Sequence, residues 1–166
     1  MTRMTADAVD RIVEQWARER AELDTTAMEV FGRVIRLARL AGDEVGRVYD
    51  QHGIGRPEFD VLATLRRSGP PYQLSPGSLA EAMMMSSGGT TARLDRLEQR
   101  GLIRRSADPD DRRGVLVALT EPGRELVDAA LTAGLARQQD LLAHVPARQQ
   151  RQLAGLLRQV LGPLED

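Results

Sequence analysis

One stretch of the chain, residues 86–119, constrains the fold more than any other. It reads SSGGTTARLDRLEQRGLIRRSADPDDRRGVLVAL. The first part predicts a helix over 88–100, because Leu94 and Leu97 recur at helical spacing and polar residues cover the other faces. Gly101 follows directly, as glycine commonly does after a last helical turn. This part of the chain is therefore expected to be one short amphipathic helix with several arginines.

Two apolar strands are predicted after this helix, at 102–106 and 115–119. The connection between them, 107–114, is too long for a tight hairpin and carries Arg112 and Arg113 at its tip. A helix followed by two strands and a long basic loop is typical of a winged helix-turn-helix. In such a unit the helix can enter a major groove while the loop contacts phosphate.

Helical patterns precede this unit. Two helices are expected within 1–54, and a third begins at Pro57 with Phe59, Leu62 and Leu65 as its core face. A fourth follows Ser75 and Pro76, and its inward residues are predicted to be Leu79, Ala82 and Met83. Met84 and Met85 are assigned to packing rather than to oxidation sensing.

Two further helices are predicted after the wing, capped by Thr120 and begun by Pro146. The last one has a wide apolar stripe that nothing adjacent in sequence covers, which predicts an intersubunit bundle. We therefore expect a mainly α fold with a small β-wing. Residues 1–54 would be N-terminal helices for dimerisation and a ligand pocket, 55–120 the winged helix-turn-helix DNA-binding domain, and 121–166 the C-terminal dimerisation helices.

Composition excludes several classes of site. With no cysteine, the chain has no disulfide or thiolate metal site, and His52 and His144 alone cannot hold zinc. The acidic run at Asp108, Asp110 and Asp111 lacks the glycine and the final glutamate of a calcium loop. We expect no cofactor and no enzymatic activity, since no nucleophile with a base and no phosphate-binding glycine loop is visible. Lacking an apolar span or signal peptide, the protein is expected to be cytoplasmic.

Charge is placed unevenly along the chain. Residues 86–113 hold seven arginines against five acids, whereas 1–30 hold four arginines against seven acids. All 23 Lys and Arg residues are arginine. This suits bidentate contacts to phosphate or guanine, and a biased genome composition would give the same result.

The sequence resembles the MarR family of transcription regulators, most specifically in DPDDRR between two strands followed by LTEPGR. The resemblance implies a homodimer that binds double-stranded DNA at an inverted-repeat operator, usually as a repressor, and is released by a small ligand. The residues expected to contact DNA are Ser86, Ser87, Thr90, Thr91, Arg93, Arg96, Arg112 and Arg113.

A narrower resemblance is to the urate-responsive branch, which carries an added N-terminal helix with a tryptophan. It implies an anionic ligand, with urate first, bound by Trp16, Asp60, Arg93 and Arg105. Other oxyanions and aromatic acids remain open.

Each of these four residues has a plainer alternative. Trp16 has the spacing of a packing residue, and Asp60 could lie on a solvated helix face beside Arg67. Arg93 could contact DNA or pair within its helix, and Arg105 could simply be solvated at the edge of the wing. At the level of the whole chain, the alternative is a winged-helix ligand-binding or protein-interaction module that does not bind an operator.

Overall fold

The structure is a computed structural model that describes residues 6–83, 89–109, 111 and 114–165. Within these residues it has seven α-helices and three short strands. The helices are α1 Ala8–Glu19, α2 Thr26–Gln51, α3 Arg56–Arg67, α4 Pro76–Ala82, α5 Thr90–Gln99, α6 Glu121–Leu141 and α7 Ala147–Glu165. The strands are β1 Gln73–Leu74, β2 Ile103–Ala107 and β3 Val115–Leu119.

The chain divides into two compact units, Met1–Glu44 and Val45–Asp166, with α2 running through the boundary. In the first unit Asp7 caps α1 by accepting hydrogen bonds from the main-chain N–H groups of Val9 and Asp10. Arg33 of α2 forms ion pairs with both Asp7 and Asp10, so that α1 is tied to α2 at its first turn.

The second unit contains the main core. Val61, Leu62 and Leu65 of α3 have no exposed surface, and neither do Leu79 of α4 and Leu97 of α5. The predicted core face of α3 is thus confirmed, as is the inward position of the α5 leucines. Met83 is also buried, but Ala82 is exposed, and its predicted inward position is wrong. The reason is that α4 ends at Ala82 and Met83 is already extended, so helical spacing no longer applies there.

The three strands form one antiparallel sheet in the order β1-β3-β2. In β2 and β3, Ile103 pairs with Leu119 and Ala107 with Val115. This is the predicted wing, although β2 begins one residue later than expected. The N–H of Leu102 donates to the carbonyl of Leu97, so Leu102 still belongs to the end of α5. The strand β1 was not predicted.

Helix α6 comes very close to other parts of the second unit at two glycines. A Cβ on Gly123 would lie 2.0 Å from the carbonyl oxygen of Leu102, so only glycine fits there. Further along, a Cβ on Gly134 would lie 2.8 Å from the ring of Tyr49, which stacks on Phe59 with ring centroids 3.9 Å apart. Glycines at these two positions therefore let α6 approach the main chain at the end of α5 and an aromatic ring of α2.

The outer helices leave large apolar side chains in solvent. No residue of α7 is buried, and Leu164 is 74% exposed. The other exposed apolar residues of α7 are Leu153, Leu156, Val160 and Leu161. Helix α2 likewise exposes Phe31, Ile35 and Leu37. Each of these two helices therefore leaves a set of large apolar side chains uncovered within the chain.

Candidate nucleic-acid interface

The arginine-bearing helix α5 is anchored by two buried leucines, and its arginines lie on the adjoining face. Leu94 and Leu97 are buried, whereas Thr91 and Arg96 are exposed and Arg93 is half-buried. Gly101 has φ +68°, a left-handed conformation that glycine adopts without strain, and it ends the helix as predicted. The helix therefore presents Arg93, Arg96 and Arg100 along one strip, with successive members three and four residues apart.

A carboxylate of α3 holds two of these arginines. Oε1 of Glu58 lies 3.3 Å from Nε of Arg96, and Oε2 lies 3.6 Å from Nη1 of Arg100. Oε2 also accepts the main-chain N–H of Gly55 at 3.1 Å, in a capping arrangement at the start of α3. The Glu58 side chain is only 15% exposed, which weakens solvent screening of these pairs. Glu58 thus fixes the basic face of α5 relative to α3.

A guanidinium of β2 holds the other side of the same helix. Nη1 of Arg105 lies 2.7 Å from Oδ1 of Asp95 and 2.9 Å from Oε2 of Glu98. The main-chain N–H of Arg105 donates to Oε1 of Glu98 at 2.9 Å. Arg105 is therefore not simply solvated at the edge of the wing, and its charge is already compensated by two carboxylates.

Asp60 lies half-buried on α3, in a mixed environment. Burial raises the pKa of its carboxyl group above the ordinary value, and the positive charges of Arg56 and Arg93 partly oppose this. The nearby charge of Asp60 in turn adds to burial in raising the pKa of Tyr49. Arg67, the alternative partner for Asp60, instead donates to the hydroxyl of Thr64 and the carbonyl of Ala82. The structure thus brings Asp60 near Arg93.

The remaining predicted residues are described only in part. Trp16 lies on α1 in the N-terminal unit and is 42% exposed. Thr90 is the first residue of α5. The predicted DNA contacts Ser86, Ser87, Arg112 and Arg113 lie outside the described residues, as do the predicted packing residues Met84 and Met85.

The base of the wing loop, where it is described, is tight. The N–H of Asp108 donates to the carbonyl of Gly114, whose own N–H donates to the carbonyl of Asp111. A Cβ on Gly114 would lie 2.8 Å from the Cβ of Asp108, so a larger residue would force the loop to shift.

One open groove of about 290 Å³ lies between α1 and α2 in the N-terminal unit. Its floor is apolar and Arg36 and Arg39 contribute cationic groups; the other lining residues are Ala8, Val9, Ile12, Met28, Gly32 and Ile35. In the described part of the chain, no cluster of three or more His, Cys, Asp or Glu could hold a metal ion. Among the same residues, no helix is both long and apolar enough to cross a bilayer.

Sequence reasoning missed Glu58, Asp95 and Glu98 as structural partners of the interface. A signal was present for Glu58, which occupies the third position of a helix whose N-cap is Gly55, where a glutamate commonly reaches back to the cap. Asp95 and Glu98 stand three residues apart and so share a face of α5. Neither pattern names the arginine that each carboxylate meets.

Comparison with known proteins agrees with this architecture. Residues 54–115 match the model of the MarR family. The HTH-type transcriptional regulator PecS of Dickeya dadantii is 37% identical over 152 residues, which cover 92% of this chain and 92% of that protein. The HTH-type transcriptional repressor NicR of Pseudomonas putida is 33% identical over 115 residues, covering 67% and 71%.

Solved structures share the fold. Wild-type MarR from E. coli superposes with a TM-score of 0.66 at 28% identity, over 78% of this chain and 95% of that one. A MarR family transcriptional regulator from Streptomyces coelicolor in complex with DNA has a TM-score of 0.75 over 87% and 91%, at 23% identity. The second likeness bears on the fold alone.

Proposed function

The chain belongs to the MarR family of transcriptional regulators, and we propose that it binds an inverted-repeat operator as a homodimer, represses transcription and is released by a small anionic ligand. The observation that carries the proposal is helix α5 itself, in which Leu94 and Leu97 are buried while Thr91 and Arg96 are exposed. A helix of this kind can place its outward side chains against base edges in a major groove. The alternative, a winged-helix module without operator binding, gives no use to the exposed side chains of Thr91 and Arg96 beyond the pairing of Arg96 with Glu58.

Assembly as a homodimer is supported by the uncovered apolar face of α7. Five large apolar side chains of one helix stand in solvent, and α7 buries none of its residues within the chain. A second copy that covered this face would remove its apolar side chains from water. Burial of apolar surface contributes a favourable free energy of about 25 cal/mol per Å². A two-fold pair would present two α5 helices to successive major grooves, about 34 Å apart.

The wing is proposed to bind the DNA backbone. Arg112 and Arg113 are assigned to phosphate contacts on their sequence position at the loop tip. Alanine at either position should weaken binding to all duplexes and reduce the slope of log affinity against log salt by about one. A changed preference among operator variants with an unchanged slope would contradict this assignment.

The ligand is proposed to be urate or a related planar anion, with Trp16, Asp60, Arg93 and Arg105 as the candidate contacts. Arg93 supports the link to DNA release, since it belongs to the recognition helix and lies near Asp60 on α3. Arg105 already binds Asp95 and Glu98 through Nη1, so a ligand would either compete with these carboxylates or bind another nitrogen of the guanidinium. A ligand preference of about 100-fold for the non-binding arrangement corresponds to about 2.7 kcal/mol.

The test of DNA binding uses fluorescence anisotropy with the duplex upstream of the protein's own gene and a scrambled duplex of equal length and composition. We expect the native duplex to bind at least about 100-fold more tightly at physiological salt. Equal affinity for the two duplexes would favour the module without operator binding.

The test of the ligand uses Trp16, which is the only tryptophan of the chain, as a fluorescent reporter. Urate should change its emission and release bound DNA in the parent, and Arg93→Ala should reduce the change in emission. Benzoate serves as an aromatic acid for comparison. No response to urate in the parent contradicts the choice of ligand, and an unaltered response in Arg93→Ala contradicts the site.

A further inference from the structure

Arg105 engages both carboxylates that helix α5 carries. One terminal nitrogen of its guanidinium is shared between Asp95 and Glu98, at 2.7 and 2.9 Å. The main-chain N–H of the same residue is bound to Glu98, which holds the backbone of β2 to the helix as well. A single residue of β2 thus contacts both carboxylates of α5, and its one positive charge offsets one of their two negative charges.

This pairing matters because α5 is electrically balanced by itself. Between Thr90 and Gln99 it has two arginines, Arg93 and Arg96, and two carboxylates, Asp95 and Glu98. Duplex DNA carries one negative charge per about 1.7 Å of its axis, so an uncompensated carboxylate on an approaching helix opposes binding. Both carboxylates are partly exposed, with 49% and 38% of their side chains in solvent. Without a positively charged partner they would repel an approaching duplex.

We propose that Arg105 is a charge mask for the recognition helix. It lies between Asp95 and Glu98 and offsets one of their two negative charges, so that α5 and Arg105 together have three positive and two negative charges, a net charge of +1. Arg105 is in this role a positioning residue that acts through two other side chains and need not touch DNA. The inference rests on the proposed DNA binding and is independent of any ligand.

Arg104 provides a matched control. It is the preceding residue of β2, is exposed, and forms no ion pair with the described residues. Arg104→Gln removes the same charge from the same strand as Arg105→Gln but unmasks no carboxylate.

The experiment is a double-mutant cycle on DNA affinity. Asp95→Asn and Glu98→Gln are introduced together into the parent, Arg105→Gln and Arg104→Gln chains, and anisotropy is measured with one duplex at about 50 and 200 mM salt. The amide side chains keep an oxygen that can accept the N–H of residue 105. Circular dichroism and thermal unfolding show whether every variant is folded.

We expect Arg105→Gln to weaken binding by about tenfold, or about 1.4 kcal/mol. Neutralising the two carboxylates should then recover about tenfold in the Arg105→Gln chain and less than about threefold in the parent and Arg104→Gln chains. The excess recovery should shrink at the higher salt, as expected for a charge effect.

An equal gain in DNA affinity in all three chains would contradict the proposed charge mask, because it would mean that Arg105 acts through its own charge alone. The same holds if Arg105→Gln binds as tightly as the parent. A parent that binds no duplex would instead contradict the proposed function. Retention on heparin, a polyanion, gives a second reading of the same cycle without an operator.

Discussion

The Oε1 atom of Glu58 lies 3.3 Å from Nε of Arg96, which joins α3 to the recognition helix across 38 positions of sequence. Arg105 holds the same helix from β2 through Asp95 and Glu98. At the first contact a carboxylate of α3 binds arginines of α5, and at the second a guanidinium of β2 binds carboxylates of α5. Helix α5 is therefore restrained against rotation about its own axis.

Replacing Glu58 by glutamine should reduce sequence discrimination. The amide side chain would keep an oxygen for the N–H of Gly55, so that the start of α3 is preserved, but the attraction for Arg96 and Arg100 would be lost. We expect the affinity ratio between operator and scrambled duplex to fall by about three- to tenfold, a modest effect because both arginines are partly exposed. Anisotropy with the two duplexes measures the ratio.

Glu81→Gln is the matched control for this change, because Glu81 is exposed on α4 and has no ion pair with the described residues. It removes the same charge without loosening α5. If it lowered the ratio as much as Glu58→Gln, the effect would be one of net charge.

Alanine at position 123 should destabilise the fold. Its Cβ would meet the carbonyl oxygen of Leu102 at 2.0 Å, and a main-chain atom cannot move aside as the end of a flexible side chain can. Forced shifts of this kind typically cost about 1–3 kcal/mol. Urea unfolding should show a lower midpoint. Gly46→Ala, at a helix position with no atom within 4 Å of the new Cβ, should instead be neutral or gain up to about 1 kcal/mol.

Asp60 should make stability depend on pH. Burial raises the pKa of its carboxyl group in the folded state above the ordinary value of 3.8, so the unfolded chain releases the proton first as pH rises. The free energy of unfolding therefore falls as pH rises from that value through the raised pKa. Asp60→Asn should have a higher Tm than the parent at neutral pH, and the difference should shrink as pH approaches 4.

Asp50→Asn is the matched substitution for this measurement, since Asp50 is exposed on α2. It removes one carboxylate from an exposed helix position, so it shows the effect of losing a surface charge. A Tm difference for Asp60→Asn that does not change with pH would contradict the role of burial.

A charge on the apolar face of α7 should disrupt the dimer. Leu161 is 50% exposed in the single chain, and aspartate there would be desolvated on association without a partner. We expect Leu161→Asp to raise the dimer dissociation constant by about 100-fold or more, measured by sedimentation equilibrium. Gln159→Asp places the same charge at a polar, exposed position of the same helix and should leave the dimer intact.

Local patterns were enough to predict much of the fold. The strand Val115–Leu119 has its predicted bounds, and Leu94 and Leu97 point inward because helical spacing alone sets their direction. The two-residue strand Gln73–Leu74 could not be found this way, since it exists only through pairing with β3 and is too short to show a period. Ala82 was misplaced for a related reason, because the pattern does not say where the short helix ends.

The pairing of charges at the site could not be predicted. Seven arginines lie within residues 86–113, and nothing in their spacing distinguishes Arg105, which meets two carboxylates, from Arg104, which meets none among the described residues. Strand alternation puts the two on opposite faces of β2, but only the packing of β2 against α5 decides which face meets Asp95 and Glu98.

The close approaches at Gly123 and Gly134 restrain the direction of α6. Gly123 and Gly134 are 11 residues apart, or about 16 Å along the helix axis; the first meets the main chain at the end of α5 and the second meets a ring of α2. The direction of α6 is therefore fixed relative to both of these helices. In the proposed two-fold pair, the spacing of the two α5 helices would depend on the angle between the two α6 axes. A change of a few degrees in this angle would alter the distance between the two α5 helices, which would then no longer match one turn of DNA.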